Sequence, residues 1–239
     1  MKYNHIKTAL FLERPNRFIA YADLDGKKVT CHVKNTGRCK ELLLPQTPVL
    51  LEFHPDAAEN GRKTEYSLIG VYKQTNRGKL LINMDSQAPN QTAWEWLCQK
   101  HAPFTDITEL RREVSYHASR FDLSFYQKGI PAFMEVKGVT LEENGIARFP
   151  DAPTERGIKH LQELEAAAKD GYLCYLLLVI AMKGIRLFEP NMATHPQFGE
   201  ALAHAAAHGV TILARDCIVT TDRLTLDAPV PVRLPTKKS

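Results

Sequence analysis

FDLSFYQKGIPAFMEVKGVT, residues 121–140, decides the fold. Side chains alternate faces along a strand, so Phe121, Leu123 and Phe125 are expected on one side of a strand over 121–126, with Asp122, Ser124 and Tyr126 on the other. In a second strand over 132–140, Glu135 and Lys137 share the face opposite Met134 and Val136. A connection over 127–130 pairs Tyr126 with Pro131 and carries Asp122 opposite Glu135, with Cβ atoms about 5 Å apart. A three-residue loop would instead set Asp122 against Met134 and turn the two acids to different faces. In the first register two carboxylates oppose each other across a hairpin, which stabilises a sheet only if a cation lies between them. Mg²⁺, or Mn²⁺ in its place, suits such a pair, because it takes few protein carboxylates and leaves room for phosphate oxygens. Asp122 and Glu135 are thus the candidate metal ligands. Lys137 is the candidate that orients a water or stabilises charge developing on a phosphate. The other reading of this D-x12-E-x-K spacing is a solvated hairpin with ordinary surface pairs.

Around this hairpin the pattern is that of an α/β domain. Residues 91–100 look helical, a second helical turn is expected between Pro103 and Arg112, and residues 113–116 form a strand. A helix follows from about 153 to 169, with Asp151 as its cap and Gly171 just beyond its end. The apolar run 172–180 reads as a strand buried on both faces. A helix over 196–208 then ends at Gly209 and leads into a strand over 210–214. The second helix (153–169) aligns Arg156, His160 and Glu163 on one side; there Arg156 can clamp a phosphate and His160 can assist proton transfer. Glu109 or Glu113 is a candidate third ligand. Trp94 and Trp96, two apart in a helix, cannot share one face, so at least one belongs to the core.

The first third is different. Short strands are expected at 17–24, 27–33, 49–53, 66–72 and 80–83, the first two joined by an Asp25-Gly26 turn. Five short strands suggest a small closed barrel of the oligonucleotide/oligosaccharide-binding (OB) kind. Residues 1–83 carry 14 Lys and Arg against 8 Asp and Glu, a net of +6, whereas the remainder has 17 against 19. The basic excess lies in the barrel, at Arg14, Arg17, Lys34, Arg38, Lys40, Arg62 and Lys63, and points to a polyanionic partner. Phe18 or Tyr21 is the candidate base-stacking side chain there, with ordinary burial the favoured reading of both. A neutral oligosaccharide fits the barrel type but not its charge. The expected domains are 1–84, the barrel, and 85–228, the mixed-sheet unit, with 229–239 a loosely held tail.

No apolar run is long enough to span a bilayer, and the start, MKYNHIKTAL, lacks a signal-peptide core, so a cytoplasmic location without membrane attachment is expected. Cys31, Cys39, Cys98, Cys174 and Cys217 contain no C-x-x-C pair and are read as reduced thiols.

ERPNRF at 13–18, NTGR at 35–38 followed by ELL, SRFD at 119–122, MEVKGVTL at 134–141 and FPDAPTERGIKHL at 149–161 together resemble the sugar fermentation stimulation protein A family of bacterial and archaeal DNA-binding proteins. The resemblance runs through nearly the whole chain. It implies an N-terminal OB fold and a C-terminal mixed-sheet domain similar to the restriction-endonuclease-like PD-(D/E)xK nucleases. Asp122, Glu135, Lys137, Arg156 and His160 then form the catalytic set, and Arg14, Arg17, Lys34, Asn35 and Arg38 the nucleic-acid contacts. Phe121 stands where the wider nuclease pattern has proline, a position that supplies no ligand. Two functions are implied: a sequence-tolerant DNA-binding protein with a Mg²⁺-dependent phosphodiesterase site, or a non-catalytic DNA-binding regulator of maltose metabolism genes that keeps the nuclease fold as scaffold. The residues do not separate DNA from RNA, or a monomer from an oligomer.

Overall fold

The computed structural model describes residues 1–35, 37, 39–117 and 119–235. Its first sheet contains β1 (Ile6–Glu13), β2 (Ile19–Leu24), β3 (Lys27–Val33), β4 (Pro48–Phe53), β5 (Tyr66–Thr75) and β6 (Gly78–Asn83). The order is β3-β2-β1-β4-β5-β6, and a parallel pairing of β3 with β5 at Cys31↔Tyr66 and Val33↔Leu68 closes five of the strands into a barrel. Closure removes the free edges that an open five-stranded sheet would expose. Asp25 (φ 53°) and Gly26 (φ 81°) form the expected two-residue turn, both with the positive φ of a type I′ hairpin. Small or β-branched side chains, Ala20, Ala22, Cys31, Val33, Val49 and Val71, fill the narrow interior.

The five barrel strands are not the five expected. The segment at 80–83 became β6, which extends the sheet beyond β5, and the strand that completes the barrel is β1. Only Ala9 and Phe11 of β1 are buried, while Lys7, Thr8 and Leu10 are exposed, so its period-2 signal is weak.

The second sheet contains β7 (Ile107–Tyr116), β8 (Ser119–Gln127), β9 (Ile130–Val139), β12 (Leu173–Ile180), β14 (Val210–Thr220) and β15 (Arg223–Pro229), in the order β15-β14-β12-β9-β8-β7. The pairs β9–β12 and β12–β14 are parallel and the outer pairs antiparallel, a mixed sheet. A small sheet of β10 (Leu141–Glu143), β11 (Ile146–Phe149) and β13 (Leu187–Pro190) lies beside it. Helix α1 (Ala88–Cys98) packs against β9, β12 and β15, while α2 (Glu155–Lys169) and α3 (Pro196–Ala207) pack together and against β12 and β14. As expected for a strand covered on both faces, β12 is buried from Leu176 to Ile180.

Several local expectations are corrected. The segment before Arg112 is strand β7 and not a helical turn. Helix α2 is capped by Thr154, whose hydroxyl accepts the Gly157 N–H at 3.0 Å; Asp151 lies three residues upstream of that position. Residues 230–233 are held: Val230 is buried, Val232 bridges to Phe188, and the Arg233 N–H donates to the Phe188 carbonyl. The last four residues lie outside the described ones. Met1–Tyr3 reach the second domain, with Leu224 N–H donating to Met1 and Tyr3 N–H to Asp222. Trp96 is core, edge-on to Phe104, and the partly buried Trp94 lies under the Arg112 guanidinium.

Candidate metal and phosphate site

Strands β8 and β9 pair as expected, Tyr126 with Pro131, around a two-residue turn of Lys128 (φ 51°) and Gly129 (φ 78°). The ladder ends at Leu123↔Met134, one step short of an Asp122–Glu135 pair. At that fork the next β9 donor, Val136 N–H, is taken by Asp122 Oδ2 at 2.8 Å, so a carboxylate replaces a main-chain carbonyl. Asn90, in the first turn of α1, donates to Asp122 Oδ1 at 2.8 Å.

The fork also corrects the expected alternation. Leu123 and Phe125 pack with Met134 and Val136, but Phe121 packs on the other side of the sheet, its ring 4.6 Å from that of Phe133. Neighbouring β7 changes face at the same level: Leu110 joins the first group, while Val114 and Tyr116 join Phe121. The changeover falls at Glu113 (φ 53°), between the register pairs Arg112↔Leu123 and Val114↔Phe121.

Glu135 projects toward α2 and is 2% exposed. Its Oε1 receives Lys137 Nζ at 2.6 Å and also contacts His160 Nδ1. Arg156 Nε donates to His160 Nε2 at 3.2 Å, which leaves the ring proton on Nδ1, facing Glu135. Glu135 Oε2 is buried and, among the described residues, has no hydrogen-bond partner. Burial alone would raise the Glu135 pKa, but the His160 hydrogen bond and the Lys137 ammonium outweigh it and hold the carboxyl below its ordinary range. Asp122 goes the other way: burial first, then the negative charge of Glu135, raises it. The five expected catalytic residues therefore converge at one place. Glu163 pairs instead with Lys159, and Glu109 and Glu113 face Arg111 and Arg120 on the exposed side of β7.

The expected nucleic-acid contacts divide. Arg14 donates to the carbonyls of Gly37 (2.8 Å), Asn35 (2.7 Å) and Arg17 (2.6 Å), and so shapes the loop after β3. Lys34 Nζ lies 2.7 Å from Asp85 Oδ2, and Asn35 Oδ1 accepts the Gly37 N–H. Arg17 is exposed, stacked 4.7 Å over the half-exposed ring of Phe18; Arg38 lies outside the described residues. Between this loop and the second domain runs a cleft of about 200 Å³, lined among others by Asn35, Asp85, Gly138, Thr140, Arg148 and Asp151, that borders Lys137 through Gly138.

Two contributors were invisible in the sequence. Asn90 meets Asp122 only through the docking of α1. Gly138 sits where a Cβ would lie 2.7 Å from Pro89 Cγ, and so lets the start of α1 close on the fork.

Residues 12–84 match a family model described as the SfsA N-terminal OB domain, and residues 87–223 one described as the sugar fermentation stimulation protein RE domain. A sugar fermentation stimulation protein homolog of Clostridium beijerinckii is 49% identical over 234 residues, covering 98% of this chain and 100% of that protein. One from Desulfitobacterium hafniense is 50% identical over 234 residues, covering 98% and 99%. The structure of Pyrococcus furiosus SfsA in complex with Ca²⁺ shares the fold at a TM-score of 0.86 with 23% identity, over 98% of each chain.

Proposed function

The chain belongs to the sugar fermentation stimulation protein family, and on that premise we propose that it is a metal-dependent phosphodiesterase acting on DNA, with Asp122 and Glu135 holding Mg²⁺ or Mn²⁺. The observation that carries the proposal is Glu135: a buried carboxylate with one oxygen crowded by Lys137 and His160 and the other, Oε2, without a partner among the described residues. A buried acceptor left unpaired is costly, and a hard cation that prefers carboxylate oxygen relieves it. The Ca²⁺ in the Pyrococcus furiosus relative, a cation of the same preference, supports an ion of this class in the fold.

When bound, such an ion polarises a phosphodiester and makes a coordinated water more acidic. The protein's own groups do the rest. Val136 N–H and Asn90 fix Asp122 at the fork. Lys137 presents an ammonium beside Glu135, placed to stabilise charge on a phosphate oxygen. His160 is oriented by Arg156 and Glu135, and the exposed Arg156 guanidinium offers a phosphate a planar, two-pronged donor. Arg17 with Phe18 supplies charge and an aromatic face on the barrel for a passing strand.

The test is cleavage of labelled single- and double-stranded DNA, with matched RNA, in Mg²⁺ or Mn²⁺ and then in EDTA. Cleavage is expected to need the metal and to be lost in Glu135→Ala and Lys137→Ala. Cleavage retained in both variants overturns the site. Binding without cleavage in the wild type would instead assign the chain to non-catalytic DNA regulation of sugar metabolism genes.

A further inference from the structure

Helix α2 carries Arg156 and His160 in its first turns and Glu165 and Lys169 toward its end, where it meets α3. The alanine-rich end of α3, AHAAAH, holds His204 and His208 four residues apart, on one side of the helix. Their rings lie 4.0 Å apart and within 21° of parallel. His208 Nδ1 lies 2.7 Å from the His204 carbonyl; only a protonated nitrogen can make that bond, so the Nε2 lone pair is left available. His204 Nδ1 lies 2.8 Å from Glu165 Oε2, while Glu165 Oε1 receives Lys169 Nζ at 2.8 Å. One ligand atom from each of Glu165, His204 and His208 falls within 4.8 Å of the others.

We propose that Glu165, His204 and His208 form a second metal site, for a borderline transition metal of the Zn²⁺ class, that clamps the end of α2 to α3. Two imidazoles and one carboxylate, completed by water, match a tetrahedral zinc shell, whereas Mg²⁺ favours oxygen donors only. With bonds of about 2.0 Å, neighbouring ligand atoms in such a shell stand about 3.3 Å apart, so the separations here close by at most about 1.5 Å through side-chain rotation. The proton shared between His204 and Glu165 gives way to the metal, and Lys169 remains as the outer partner of the carboxylate. The donor sets of the two sites differ, nitrogen-rich here and oxygen-rich at the fork, so they sort metals by kind. The clamp holds the helix that presents His160 and Arg156.

Because zinc can also visit Glu135 and His160, the experiment uses full-length Glu135→Gln/His160→Ala protein, stripped with chelator and titrated calorimetrically with ZnCl₂. One equivalent is expected, with a rise in Tm. Adding His204→Gln or His208→Gln, each at an exposed position, is expected to weaken zinc binding by more than about 100-fold and abolish the Tm rise, with an unchanged circular dichroism spectrum. The same parent loaded with Co²⁺ gives a second readout, a tetrahedral visible spectrum that adding His208→Gln removes. No zinc binding in the parent, or unchanged affinity and spectra in both histidine variants, overturns the site; neither result bears on DNA cleavage.

Discussion

Replacing Lys34 with methionine removes the only charge that the structure sets against Asp85 at salt-bridge distance among the described residues. The Asp85 side chain is 0% exposed and that of Lys34 16%, so the pair lies almost wholly out of water. Asp85 Oδ1 keeps the Gln87 N–H at 3.0 Å, and the Tyr3 hydroxyl also hydrogen-bonds the carboxylate, but no other charge offsets it at salt-bridge distance among the described residues. Breaking a buried pair from one side costs about 3–5 kcal/mol, and the two retained donors with the slight exposure of Lys34 reduce this to about 2–4 kcal/mol. At about 2–4 °C per kcal/mol for a protein of this size, Tm falls by roughly 4–16 °C. Asp85→Asn in the Lys34→Met background removes the stranded charge and restores at least half the loss, the signature of a coupled pair. Thermal unfolding of the wild type, both single variants and the double variant measures it. If DNA affinity falls in Lys34→Met and recovers in the double variant, Lys34 shapes the cleft and does not contact phosphate. A Tm within about 1 °C of wild type in Lys34→Met, or no recovery in the double variant, would refute the reasoning.

Three further outcomes are expected. Asn90→Ala releases Asp122 Oδ1 and lowers Mn²⁺ affinity by about 10–100-fold with little loss of stability, measured by calorimetry beside thermal unfolding. Gly138→Ala drives a Cβ into Pro89, costs about 1–3 kcal/mol, and lowers cleavage more than Thr140→Ala, a change in the same cleft without that clash, as single-turnover rates will show. Lys73 on β5 pairs across the domain boundary with Glu142 at 2.7 Å. Although burial opposes it, the Lys73 bond and the Gly145 N–H hold Glu142 below its ordinary pKa. A lowered carboxyl stabilises the fold above its unfolded pKa and loses that contribution as pH falls through the folded one, so Lys73→Met destabilises strongly at neutral pH and progressively less below the ordinary glutamate range. Denaturant midpoints across pH follow this.

What the sequence revealed was what period and turn chemistry control. The Asp25-Gly26 turn pins its hairpin, the connection over 127–130 allows the Tyr126–Pro131 register, and the two-residue period puts Glu135 and Lys137 on one face. Strand β1 escaped because half of its pattern points outward, and β10, β11 and β13 are too short to show a period. The change of face at Glu113 and Asp122 could not be read, because residue types announce neither the positive φ at Glu113 nor the fork at which Asp122 takes the Val136 N–H. Contacts across the fold were equally hidden: Asn90 with Asp122, and Lys34 with Asp85, 51 residues apart. Basic residues identified by charge alone therefore included Arg14, Lys34 and Arg62, which turn donors onto the protein itself.

The most direct test of the candidate site is anomalous diffraction from crystals soaked in Mn²⁺. An anomalous peak is expected within bonding distance of Glu135 Oε2 and an Asp122 oxygen, and absent in Glu135→Gln crystals. No peak between those acids at saturating Mn²⁺, with both Glu135 oxygens occupied by Lys137 and His160, would contradict a metal-dependent centre here.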